Sequence, residues 1–181
     1  MKKFNVLFLL FLAFPFGVMA KEKLPSTPLQ QLEWMQGNWK CTMQGTTQIK
    51  GKITQATRHA NYKVRFDHNT NQYIGIWRPA KNEKGSYSTL YYGYDKELNK
   101  FIYVDVAVFP NTLTDVAIAK AQGSVNKENV LKLRGRSYYQ NYVNSYSKEF
   151  TLTNPDHYHV EIRNENPKEQ YKVVTIGECE K

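Results

Sequence analysis

Cysteine is nearly absent from this chain of 181 residues, which holds only Cys41 and Cys179. Histidine is scarce as well, four in all, so a metal centre assembled from Cys and His has little to draw on. Acidic residues number 16 against 25 lysines and arginines, but the basic residues are scattered singly. Without a basic run or stripe, nucleic acid is not the expected partner. The chain has no Gly-x-Ser-x-Gly, no phosphate loop, no His-Glu-x-x-His and no Cys–His nucleophile pattern, which leaves catalysis without a motif. After residue 20, no apolar stretch is long enough to span a membrane.

The first twenty residues do carry an apolar run. Met1-Lys2-Lys3 gives a positive start, residues 4–20 carry no charge, and Val6 to Phe14 is almost purely apolar. Pro15, Gly17 and the small-residue exit Val18-Met19-Ala20 follow. This is the pattern of a secretory signal peptide cleaved after Ala20, and the run is too short and too broken for a membrane anchor. The mature chain, Lys21 to Lys181, is expected to be one domain of 161 residues, exported to the periplasm or beyond the cell. Losing Lys2 and Lys3 leaves 23 basic residues against 16 acidic, a net charge of +7. Such a surface is attracted to anionic surfaces and acidic ligands. In an oxidising compartment Cys41 and Cys179 should form a disulfide, whose long loop makes it worth about 4 kcal/mol or more by chain entropy.

A short helical turn is expected over Pro28 to Gln36. Beyond it come runs rich in Tyr, Val, Ile, Phe, Thr and Trp: 38–44, 48–57, 61–67, 72–79, 86–94, 100–109, 115–124, 129–138, 144–153, 157–164 and 171–179. Turn signals such as Asp67-His68-Asn69 and Asn154-Pro155-Asp156 separate them. Strands at this spacing, continuing to the end of the chain, indicate an all-β sandwich or barrel. Leu131, Leu133 and Gly135 alternate with Lys132, Arg134 and Arg136, and Tyr158, Val160 and Ile162 alternate with His157, His159, Glu161 and Arg163. Each of those strands has one wet face and one packed face. Phe101 to Phe109 is apolar on both faces except for Asp105, so it is expected to be covered on both sides. A disulfide between the first strand and the last brings them together, and a sheet whose ends meet is a barrel.

The segment Leu32-Glu33-Trp34-Met35-Gln36-Gly37-Asn38-Trp39-Lys40-Cys41 resembles the opening of lipocalin-like proteins, where a helical turn leads into a Gly-x-Trp on the first strand. Tyr92-Gly93-Tyr94-Asp95-Lys96-Glu97-Leu98-Asn99-Lys100-Phe101 is similar to a hairpin of an uncharacterised bacterial family of lipocalin-like (calycin superfamily) exported proteins. The resemblance implies an antiparallel up-and-down barrel of about eight to ten strands. Gly37 and Trp39 would be structural, the Trp plugging the floor, and an internal pocket would take a ligand. Two features depart from the lipocalin pattern. The chain ends in a strand and not a helix, and Thr114-Asp115-Val116 matches the second lipocalin motif only loosely. Fatty-acid-binding proteins and nitrobindins are comparable relatives, although no His stands on an apolar face to serve as a haem ligand, and no cofactor is expected.

Candidate residues follow from composition and pattern. Tyr73, Trp77, Arg78, Tyr92, Tyr94 and Tyr103, with Asp105, fall on the central strands, where rings with a polar handle suit a pocket for a partly apolar ligand. Asp105 needs a partner if it is interior, and Arg65, Arg78 and Arg134 are the candidates. Arg65, Arg78 and Lys81 favour an acidic or fatty ligand over a neutral one. His157 and His159, two apart on one strand face, form with Glu161 a weak metal-ligand pattern. The expected function is non-enzymatic binding of a small apolar or amphipathic, anionic ligand inside an exported barrel. The alternative is an interaction protein whose barrel is filled by side chains and whose basic, Tyr-rich surface makes the contacts. An enzyme is the least supported class.

Overall fold

The structure, a computed structural model, describes residues 27–110 and 115–181. The expected signal peptide and its cleavage point lie outside the described residues, as does Thr114. Among the described residues ten strands run in sequence: β1 (Gly37–Ile49), β2 (Lys52–Asp67), β3 (Gln72–Pro79), β4 (Tyr87–Asp95), β5 (Lys100–Val108), β6 (Val116–Val125), β7 (Val130–Tyr139), β8 (Tyr142–Asn154), β9 (His157–Asn166) and β10 (Tyr171–Glu180). Each pairs antiparallel with its neighbour in sequence, and β10 returns to pair with β1. The result is a closed up-and-down barrel in which the first and last strands lie side by side, as the two cysteines led one to expect. Closure leaves few free strand edges, the usual liability of an all-β protein.

The expected runs 48–57 and 61–67 are one strand and not two. The break lies earlier, at Lys50-Gly51, where φ is 48° and 82°. Two consecutive positive-φ residues make the hairpin turn whose twist matches the strands it joins. Gly51 supplies that geometry without a side-chain penalty. Lys50 sits in the turn against the ordinary preference of a long side chain, which is why the pattern read through it.

Trp39 organises the closed end of the barrel. The 3₁₀ helix Pro28–Met35 lies across that end and buries Leu29, Leu32 and Met35. Met35 then accepts a hydrogen bond from Trp39 Nε1 at 2.8 Å. The indole meets the Tyr158 ring edge-on, 4.7 Å between centroids, and Lys181 Nζ stands 4.6 Å from the ring centre. Phe101, Leu131 and Leu133 complete a floor with almost no exposed surface. One seam beside this floor is covalent: Cys41 and Cys179 face each other in the β1–β10 register and are bonded.

The outer face of β5 corrects one expectation. Ile102, Val104 and Val106 are half-buried and Val108 is exposed, so that strand is covered on its inner side alone. No helix among the described residues is long and apolar enough to cross a membrane.

Candidate functional site

Above the packed floor the barrel is hollow. A cavity of about 370 Å³ opens toward the end away from the 3₁₀ helix. Its walls come from alternate residues of several strands: Met43 of β1, Trp77 of β3, Phe150 of β8, and Val160 and Ile162 of β9. One side of the mouth owes its shape to strand length. β2 runs on past the end of β3, so residues 52–59 pair with β1 alone. The loop 80–86 crosses the gap, held by Ala80 N donating to His59 O at 2.9 Å and by a hydrogen bond between His59 Nδ1 and Glu83 Oε1 at 2.7 Å. That pairing holds the Glu83 carboxyl below its ordinary pKa. Arg58 and Lys84 stand at this mouth and make it positive.

Polar groups converge on one point of the wall. Asp105 projects inward from β5, and its Oδ2 accepts from the Tyr103 hydroxyl at 2.9 Å. The Tyr103 oxygen in turn accepts from Lys148 Nζ at 3.0 Å and from the Tyr146 hydroxyl at 3.3 Å. Lys148 is 6% exposed yet lines the cavity together with Asp105. Its ammonium lies 4.8 Å from the Phe150 ring centre and 5.0 Å from that of Tyr103. Burial penalises its charge and lowers the pKa from 10.5 to about 8, against an opposing pull from Asp105. Asp105 Oδ1 is itself buried and has no hydrogen-bond partner among the described residues. A carboxylate oxygen in that position is short of a donor.

Beneath this group a second pair closes the polar layer. Tyr62 and Tyr92 share a hydrogen bond of 2.8 Å, and burial pushes both phenols well above their ordinary pKa. The Tyr62 ring reaches inward over Gly75 of β3, which pairs with Val64, two residues along β2. A Cβ at Gly75 would stand 2.6 Å from the Tyr62 oxygen and 2.7 Å from its ring. Gly75→Ala should therefore displace the ring, break the pair and cost about 1–3 kcal/mol, as overpacking does. A urea melt against the wild type measures it.

The residues singled out in sequence are distributed as follows. Trp77 and Asp105 line the cavity. Tyr92 and Tyr103 are fully buried directly beneath it. Tyr73 packs against Phe66 and Tyr94 against Phe101, both nearer the floor. Arg78 alternates outward and is exposed, as are Arg65 and Arg134, so none of the three meets Asp105. The basic group linked to Asp105 is Lys148, which reaches it through the Tyr103 hydroxyl and which the sequence reading missed. The signal was its parity: Asn144, Tyr146, Lys148 and Phe150 share one face of β8 and are all buried. On the outside, His157 and His159 both pair with Glu178 of β10, at 3.1 and 2.7 Å, while Glu161 pairs with Arg163. Among the described residues no group of three or more potential ligands is placed to hold a metal ion.

No protein-family model matches the chain, and no curated protein is similar enough to it to match. Among solved structures it is similar to a protein of unknown function from the DUF3598 family of Nostoc punctiforme, at 16% identity and a TM-score of 0.45. The similarity covers 86% of this chain and 50% of that one, so the chain spans about half the length of that relative.

Proposed function

We propose that this chain is an exported, non-enzymatic carrier. Its leader would be removed after Ala20, and the barrel would hold one small amphipathic molecule. The observation that carries the reading is the cavity, whose volume of about 370 Å³ falls in the range of small-molecule sites. Its chemistry supports the same reading. Apolar walls suit the body of a ligand, and the Asp105–Lys148 pair offers one acceptor and one donor to its polar end. The positive mouth formed by Arg58 and Lys84 favours anionic guests on approach. The Cys41–Cys179 bond is compatible with an oxidising compartment.

A dansylated fatty acid titrated into the purified protein tests this. Its fluorescence should rise to saturation at one equivalent with micromolar affinity, and Trp77 emission should fall as the site fills. Ala107 lies on the cavity wall beside Asp105, and Ala107→Trp should fill the space. That variant should lose binding while its melting temperature stays close to the wild type. If the wild type binds no such probe, or if the blocked variant binds equally well, the carrier reading is wrong.

A further inference from the structure

Resting on that carrier reading, we propose that Lys148 captures aldehydes: an apolar aldehyde entering the cavity condenses with Nζ and is held as an imine. Four features of the site support this. Lys148 is the amine on the cavity wall beneath the mouth, and among the described residues no carboxylate ion-pairs with it directly; the Tyr103 oxygen stands between it and Asp105. Tyr103 offers a hydroxyl 3.0 Å from the nitrogen, close enough to pass protons to and from a reacting oxygen. Asp105 supplies a negative charge for the iminium form, and the Phe150 and Tyr103 faces lie within cation–π range. The apolar walls then bury the carbonyl's substituent.

The step balances without any further reagent. The Nζ lone pair attacks the carbonyl carbon, and one Nζ proton passes by way of Tyr103 to the carbonyl oxygen, giving a carbinolamine. Tyr103 then protonates the hydroxyl as it leaves as water, and the second proton lost from nitrogen returns to Tyr103. One aldehyde and one amine become one imine and one water, with no change of oxidation state. A desolvated lysine beside a charge-stabilising partner is the ordinary way to make this nucleophile. With its pKa near 8, about one molecule in ten carries the neutral amine at pH 7, against about one in three thousand for an unperturbed lysine. The titratable and charged groups of the cavity and its polar layer are Asp105 and Tyr103 on β5, Tyr146 on β8, Tyr62, Arg58 and His59 on β2, Tyr92 on β4, Tyr158 on β9, and Lys84 in the loop 80–86.

The test is decanal with sodium cyanoborohydride, read by intact mass and peptide mapping. Wild type should gain one decyl group at Lys148, favoured on the order of a hundredfold over surface lysines at neutral pH. The labelling rate should climb with pH and level off above about 8. Lys148→Met and Lys148→Arg should both leave only scattered slow labelling. Ala107→Trp, which keeps the lysine but fills the cavity, should also lose the adduct. Scattered labelling in the wild type, with decanol still displacing the dansyl probe, overturns aldehyde capture and leaves the carrier reading standing. If decanol and decanal both fail to displace the probe, both readings fall.

Discussion

Raising the pH above 10 should unfold this barrel abruptly, over little more than one pH unit. Tyr62, Tyr92, Tyr103, Tyr146 and Tyr158 are all buried, and burial raises the pKa of each well above the ordinary 10. The unfolded chain releases these protons near pH 10, whereas the folded chain holds them. The folded state therefore binds more protons than the unfolded one above that pH, and stability falls as pH rises. Each phenol contributes about 1.4 kcal/mol per pH unit, so the five together remove roughly 7 kcal/mol per unit. A domain of this kind holds about 5–15 kcal/mol in total. Stability that is intact at pH 10 should thus be exhausted before pH 12.

Lys148 acts in the opposite direction at lower pH. Its folded pKa of about 8 lies below the unfolded value of 10.5. Between those values the unfolded state binds the extra proton, and stability rises with pH by up to about 3 kcal/mol. The two effects place the maximum between pH 9 and 10. Circular dichroism and tyrosinate absorbance, followed on one alkaline titration, check this. Loss of β signal and a burst of tyrosinate should coincide in one cooperative step, and Tyr146→Phe should move that step to higher pH. Gradual ionisation of all five phenols in an intact barrel would contradict it.

The buried tyrosine layer also shows where the sequence was readable and where it was not. The barrel itself was legible because its strands are short, rich in β-branched and aromatic residues, and separated by Asn, Asp, Gly and Pro. Asp105 stood out because it interrupts the apolar run Ile102-Tyr103-Val104 and Val106-Ala107-Val108, and the structure places it on the cavity wall. Lys148 did not stand out. A lysine between Ser147 and Glu149 reads as one more solvated residue, and only the burial of Tyr146 and Phe150 on either side fixes it inward. The same ambiguity left the basic neighbour of Asp105 open among candidates that did not include it. Arg65, Arg78 and Arg134 lie on strands with clear alternation, yet each falls on the outward parity, and parity depends on a register that side-chain types alone do not set. Hollow against filled was beyond the sequence for a related reason. The floor and the cavity wall use the same residue types, Tyr, Phe, Trp and Leu. What differs is that Gly45, Ala56 and Ala107 leave space at one end where Trp39, Leu131 and Leu133 fill it at the other.

Replacing both Cys41 and Cys179 by alanine should cost about 5 kcal/mol, the largest loss expected from any substitution away from the cavity. The two residues are 138 apart in sequence, and a crosslink closing so long a loop removes much of the unfolded chain's freedom; the chain-entropy account gives about 5 kcal/mol at that length. The native geometry should survive, because β1 and β10 remain paired in register from Lys40 opposite Glu180 to Ile49 opposite Tyr171. At about 3 °C per kcal/mol for a chain of this size, the melting midpoint should fall by roughly 15 °C. The urea m-value should rise, since an uncrosslinked chain exposes more surface on unfolding. Both sulfurs are sealed against the floor, Cys41 at 2% and Cys179 at 0% exposure. A reductant can reach them only when the seam opens. Dithiothreitol should therefore reduce the native protein at a rate set by unfolding and independent of thiol concentration once the thiol is in excess. Fast, concentration-dependent reduction of the folded barrel, or a double variant that melts with the wild type, would mean that the strand pairing alone closes the barrel and the covalent seam adds nothing to it.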